Sequence, residues 1–231
     1  MLFRKLKLDW RYGISELAIV VVGVLIALSA EGWLTGLGLR RAESESLVRL
    51  AADMRIDLDD IGGNLRRTRR GYEAARWLMQ HRGGPPPAAD SLSARLTDFT
   101  ACSILSANTS EYTALKASGQ LANLRDADFR QRLVNHYEAY PYLSALHDLD
   151  CRTMEEAIAA IESEVEFAID PTQEAWPITV TGEAQDLLRD ATFQRAVGYA
   201  AQIRLGLTAT QEDAMVGLGA LRDRATALAT R

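Results

Sequence analysis

Two side chains with metal-binding chemistry lie one helical turn apart, His147 and Cys151, with Asp148 and Asp150 beside them. On a helix they share a face, and an imidazole with a thiolate can begin a metal site. A metal site needs three or four convergent ligands, so the pair reads as core packing or helix surface, and no metal is expected. His136 falls on an apolar stripe and reads as a hydrogen-bonded core histidine. Glu155, Glu156, Glu162, Glu164 and Glu166 read as a solvated acidic face. No nucleophile elbow, phosphate loop or paired catalytic histidine occurs. The expectation is no catalytic residue, no cofactor and no metal. Cys102 and Cys151 are the two cysteines of the chain, with no C-x-x-C, zinc or haem spacing. Each lies near an apolar helical stripe. They can form a disulfide or remain buried thiols, and geometry decides, because Cα atoms beyond about 7 Å cannot be bridged without backbone movement.

The elements that would position such residues begin with residues 17–30, LAIVVVGVLIALSA, an unbroken apolar run. Arg4, Lys5, Lys7 and Arg11 precede it, and Glu16 and Glu31 close its ends. The uncharged stretch then resumes as GWLTGLGL and stops at Arg40 and Arg41. A bilayer core needs about 20 mostly apolar residues in a helix, and residues 12–39 supply that length if both glutamates lie near the interfaces. Two other readings compete: a cleaved signal peptide, with small residues at Ala27, Ser29 and Ala30, and a buried core helix. Against cleavage, apolar residues continue through Trp33, Leu34, Leu37 and Leu39. Against a core helix, a basic cluster before a β-branched, glycine-containing run is typical of anchors. The basic flank predicts a cytoplasmic N-terminus by the positive-inside rule, although Arg40, Arg41, Arg49 and Arg55 weaken the asymmetry. Glu16 and Glu31 stand about 22 Å apart along a helix axis, so both can reach head groups, with Trp33 marking the outer interface. Alternatively they meet another transmembrane helix. Gly23 with Ala27, and Gly32 with Gly36, have the small-x-x-x-small spacing of such contacts.

Glu16, Gly23, Ile26-Ala27-Leu28 and Trp33 carry a resemblance. Their pattern resembles an uncharacterised bacterial membrane-protein family, a domain of unknown function that reads GE, an LVV-type run, GILIAL and then NNW. This chain has Ser15 before the glutamate, and Glu31-Gly32 where the family tends to have two asparagines. The stretch EYTALKASGQLANLRDADFRQRLVNHYEAY is similar to the family's second signature. The resemblance covers most of the chain. It implies a single N-terminal span and a helical domain, and no known activity.

With 231 residues and a formal net charge of −5, the chain has room for one domain plus an anchor, and nucleic acid is not expected as a partner. Alanine, leucine and charged residues dominate after the anchor, which favours helix over sheet. A four-and-three seam runs Leu47, Ala51, Met54, Leu58, Ile61, Leu65, Thr68, Tyr72, Ala75, Met79, weakened at Gly62-Gly63 and ended by Gly83-Gly84-Pro85-Pro86-Pro87. No breaker separates the anchor from this seam, so one helix can serve both. A short helix is expected from Ser91 to about Leu105, with Leu92, Leu96, Phe99 and Cys102 on one face. A second is capped at residues 108–110 and stopped at Ser118-Gly119. A long stripe follows from Asp126 through Phe129, Leu133, His136, Tyr140, Leu143, Met154, Ile158, Ile161 and Val165, kinked or split at Pro141. Residues 170–182 read as a loop, with Trp176 plugging the bundle end. The last helix takes Phe193, Val197, Ala200, Leu207, Ala214, Leu218, Leu221, Ala225 and Leu228. No strand alternation of useful length is found. The expected fold is all-α: an N-terminal transmembrane helix continuing into an antiparallel helical bundle.

The expected organisation is a cytoplasmic segment 1–11, a span 12–39 and an extracytoplasmic bundle 40–231, at a bacterial inner membrane. Arg66, Arg67, Arg69 and Arg70 would stand roughly 40 Å beyond Leu39, too far for lipid, and are expected to pair with the acidic segment 126–170. Two function classes remain. One is a membrane-anchored interaction or sensory scaffold, whose partners would be the lipid bilayer, another transmembrane helix or a second copy, and a protein of unknown identity. The other is an enzyme or a metal- or ligand-binding bundle. Convergent buried polar groups would favour the second and a dry apolar core the first.

Overall fold

Helix dominates the computed structural model, which describes residues 10–168 and 177–230. Arg4, Lys5, Lys7, the side chains of Arg11 and Glu16, and Trp176 lie outside the described residues. The chain divides into two units, Met1–Ser46 and Leu47–Arg231.

Helix α1, Trp10–Gln80, contains no proline and runs for 71 residues. It contains one stretch long and apolar enough to cross a membrane. Within the first unit the apolar side chains of that stretch are exposed, Ile19 to 71% and Trp33 to 67%. So continuous an apolar surface is unusual on a protein that meets only water. Gly23, Ala27, Glu31 and Gly32 are also exposed, and Gly36 is half-buried. A Cβ added at Gly23, Gly32 or Gly36 would meet nothing within 4 Å.

The second unit is built on three long helices: α1 from Leu47 onward, α5 (Tyr140–Ala159) and α7 (Ala191–Ala229). Helix α7 is antiparallel to both others. Arg204 lies by Gly71 of α1 while Glu212 pairs with Arg69, and Arg204 pairs with Asp150 of α5 while Gln211 meets His147. Shorter helices fill the rest: α2 (Ala89–Phe99), α3 (Ser110–Ala117), α4 (Ala127–Glu138) and α6 (Ala184–Arg189).

Local chemistry explains the boundaries. The Asp126 carboxylate accepts the Phe129 N–H at 2.9 Å and caps α4, and Asp190 caps α7 through the Phe193 N–H at 2.7 Å. Pro141 splits the stripe it interrupts: α4 ends at Glu138, and the proline sits in the first turn of α5, where its missing N–H costs no helical bond. Gly119, at φ 71°, takes the left-handed conformation that ends the turn after α3.

Three expectations are corrected. Helix α2 stops at Phe99, so Cys102 lies in the irregular segment beyond it and not on its face. The segment expected as loop contains a strand: β2 (Ile178–Val180) pairs antiparallel with β1 (Val165–Phe167), Val165 opposite Val180. Three residues per strand are too few to show alternation in a sequence. The hairpin is held to α2 by side chains, since the Ile178 N–H donates to Thr97 Oγ1 and the Val180 N–H to Ser93 Oγ. Finally, Arg69 pairs with Glu212 on α7 at 2.5 Å, so its partner is not in segment 126–170.

The apolar core of this unit forms two clusters. One gathers Ala74, Leu78, Leu92, Phe99, Ile158 and Phe193. The other gathers Leu50, Met54, Ile61, Phe129, Leu133 and Leu218. Most of the buried residues of α1, α5 and α7 between them in sequence are polar.

Candidate functional site

Those polar residues form a buried layer. Asn64 and Thr68 come from α1, His147, Asp150 and Thr153 from α5, Arg204 and Gln211 from α7, and Ser103 from the segment after α2; none is more than 3% exposed. Arg204 is its centre. Its Nε donates to Asp150 Oδ1 at 2.7 Å, and its guanidinium carbon stands 4.9 Å from the Phe99 ring centroid. Burial raises the Asp150 pKa, and the Arg204 charge opposes that rise. Arg204 Nη1 and Nη2, Gln211 Oε1 and Thr68 Oγ1 have no hydrogen-bond partner among the described residues. So few satisfied bonds at a buried guanidinium leave its Asp150 contact and its stacking to hold it.

Gly71 makes the guanidinium's place on α1. A Cβ there would stand 2.4 Å from Arg204 Nη1 and 2.8 Å from Cζ. With Asp150 fixing Nε and Phe99 behind, the group has no free direction of retreat. Gly71→Ala is therefore expected to destabilise the unit by about 1–3 kcal/mol, the range for overpacking. Urea denaturation measures it, and an unchanged midpoint would mean that Arg204 relocates freely.

His147 Nδ1 faces the Ser103 carbonyl at 3.0 Å and the Ser103 hydroxyl at 2.9 Å, so we assign the proton to Nδ1, which donates to the carbonyl. Nε2 then accepts from Gln211 Nε2 at 3.3 Å. Burial lowers the pKa of His147 and keeps it neutral. Cys151, one turn on, does not join it as a ligand. It bonds to Cys102, with Cα atoms 5.3 Å apart, inside the window a disulfide requires. Asp148 is exposed and Asp150 belongs to Arg204. Among the described residues no group of three or more His, Cys, Asp or Glu side chains is placed to hold a metal.

A second polar row lies on α1 at Asp53, Asp57, Asp60 and Asn64. Asp57 accepts the Asn108 N–H at 2.6 Å and the Tyr140 hydroxyl at 2.9 Å. Asp53 accepts the Glu111 N–H at 3.0 Å and so caps α3 from another helix, while Asp60 accepts the Ser106 N–H at 3.1 Å. Asn64 donates to the Ile104 carbonyl at 3.2 Å. These carboxylates and the amide replace the backbone partners that segment 100–109, which is irregular, does not make for itself. The spacing of four, three and four could have announced the row, but charged residues between apolar ones read as solvent-facing.

Tyr140 also accepts from His136 Nε2 at 3.1 Å, giving a chain from His136 through Tyr140 to Asp57 on α1. Burial pushes the His136 pKa down to about 4. An unfolded chain protonates this histidine near 6.5, so stability is expected to fall as pH drops from about 6.5 to about 4, the folded state refusing a proton that the unfolded state binds. Asp57 and Asp150 act oppositely: their raised values let the folded state bind protons first as pH falls towards 3.8. Urea midpoints measured between pH 7 and pH 5 should fall. His147, also held low by burial, contributes to the same fall, so His136→Gln, which keeps a donor for Tyr140, should reduce that slope, and an unaltered slope would remove His136 as a source.

His136 lines a cleft between α4 and α7 of about 480 Å³, with Asp126, Asp128, Phe129, Arg132, Gly217 and Arg224 among its walls. A second cleft of about 230 Å³ lies by Met154, Ile158 and Phe167. No residue of the buried layer lines either cleft. No protein family, curated protein or solved structure matches the chain.

Proposed function

We propose that the chain is a membrane-anchored helical scaffold with an interaction or sensory role, held in a bacterial inner membrane with its N-terminus in the cytoplasm and its helical unit outside. The observation that carries this reading is α1, one helix containing both the apolar stretch and the row Asp53, Asp57, Asp60 and Asn64 that holds segment 103–111 and Tyr140. A partner or ligand that shifts those contacts acts on the helix that bears the anchor. The resemblance at Glu16, Gly23, Ile26-Ala27-Leu28 and Trp33 supports membership of the single-span family, and the exposed Gly23, Ala27 and Gly32 with the half-buried Gly36 offer close approach to another span or a second copy.

The interior is not dry, the feature that would favour the second class, but the buried layer opens onto neither cleft. It does not favour catalysis. The layer's side chains are bonded to one another or packed within the core, and its residues do not line the clefts.

Crosslinking and pull-down of the intact chain from native membranes tests the scaffold reading. A discrete crosslinked partner or homodimer is expected, weakened by Gly23→Leu or Gly32→Leu. Only monomer at every crosslinker length would overturn it. A C-terminal alkaline phosphatase fusion should be active, and an inactive one beside a bright C-terminal fluorescent fusion would reverse the topology.

A further inference from the structure

We propose that the buried layer binds internal water, held jointly by Arg204, Gln211 and Thr68. The proposal goes beyond the scaffold reading and does not rest on it. Arg204 and Gln211 are 0% exposed and Thr68 is 1% exposed. Arg204 gives its Nε to Asp150, while Nη1 and Nη2, which carry the rest of its N–H donors, have no partner among the described residues. Gln211 gives its amide nitrogen to His147, and its Oε1 receives no donor. Thr68 Oγ1 is unpartnered in the same way. Native interiors seldom leave such groups bare: a buried polar group without a protein partner is met by ordered water or by an ion.

The three side chains converge from two helices. Arg204 Nη1 lies against Gly71, and Thr68 is one turn before Gly71 on α1. Because α7 runs antiparallel to α1, the step from Gly71 back to Thr68, about 4.5 Å, and the step from Arg204 on to Gln211, about 10.5 Å, lead the same way along the unit. Thr68 therefore stands at a level between Arg204 and Gln211. One water joins polar atoms about 5.5–6 Å apart, so it can serve a guanidinium on one side and an amide oxygen on the other. The donor set selects water over an ion. Nη1 and Nη2 only donate, and Gln211 Oε1 only accepts. A halide would suit the guanidinium and oppose the amide oxygen, and a metal cation would do the reverse. Charge points the same way: Asp150 balances Arg204 and burial keeps His147 neutral, so a bare ion would find no counter-charge left. Water accepts from the guanidinium and donates to the oxygen at once. The Thr68 hydroxyl, which does both, completes the roughly three bonds usual for a buried water.

A crystal structure of the full chain grown in a lipid phase, at a resolution that shows ordered water, tests this. A solvent peak is expected within about 2.7–3.2 Å of an Arg204 Nη atom and of Gln211 Oε1 or Thr68 Oγ1. Crystals grown with bromide in place of chloride should show no anomalous peak at that position. Thr68→Val combined with Gln211→Leu removes both oxygens and should abolish the solvent peak, with the bond from Arg204 to Asp150 intact as the folding control. If that variant fails to fold, the wild-type crystals decide alone. Nη1 and Nη2 bonded directly to protein atoms, with no solvent peak between them and Gln211 or Thr68, overturns the proposal. A bromide peak at the position overturns it in favour of an anion, and a solvent peak unchanged in the double variant overturns it by showing that other groups hold the water. None of these results involves the anchor, so crosslinking from membranes decides the scaffold reading separately.

Discussion

Asp150→Ala is expected to lower the unfolding free energy of the helical unit by about 3–5 kcal/mol, the cost of leaving a buried charge without its partner. Arg204 is fully buried, so removing the carboxylate strands a guanidinium whose Nη1 and Nη2 already lack partners among the described residues. Gly71 and Phe99 enclose it and give no route to water. Against a typical domain stability of about 5–15 kcal/mol, this single change threatens the fold. Asp150→Leu combined with Arg204→Met should recover much of the loss, because an apolar pair of similar volume removes both charges. Urea unfolding followed by circular dichroism measures both. A loss below about 1 kcal/mol for Asp150→Ala would mean the pair behaves as a solvated one.

The second large effect concerns Cys102 and Cys151. Their separation is 49 residues, and closing a loop of that length is worth about 4 kcal/mol in the chain-entropy model. The bridge ties the irregular segment after α2 to α5 beside Ser103, whose carbonyl and hydroxyl hold His147. Cys102→Ala with Cys151→Ala should lower the urea midpoint, and the reduced parent should match the double variant. A thiol count on denatured, non-reduced protein from its native compartment should find no free thiol. Two free thiols would rule the bridge out and weaken the extracytoplasmic placement.

The long helices were legible because their apolar stripes repeat at four and three over many turns, and Pro141 and the glycine-proline stretch at residues 83–87 mark where two of them begin and end. The buried layer was hidden in the same stripes. On α7 the steps jump from Ala200 to Leu207 and on to Ala214, and the skipped positions are Arg204 and Gln211, both fully buried. A polar residue at a seam position reads as a gap, whereas here it is the core. Asp57 was missed similarly: its desolvation is offset by a hydroxyl and a backbone N–H that come from residues 83 and 51 positions away. Such long-range partners leave no local trace. The hairpin of β1 and β2 escaped because its backbone is fixed by Thr97 and Ser93 of α2 and not by its own pattern. The cleft depends on the spacing between α4 and α7, which tertiary packing alone sets.

One measurement bears most directly on the anchored scaffold: the intact mass of the chain recovered from alkaline-carbonate-washed membranes. The expected result is the whole 231-residue chain, 25.4 kDa, in the membrane pellet. Recovery in the carbonate supernatant, or a mature chain beginning near Ala30 or Glu31, would contradict it.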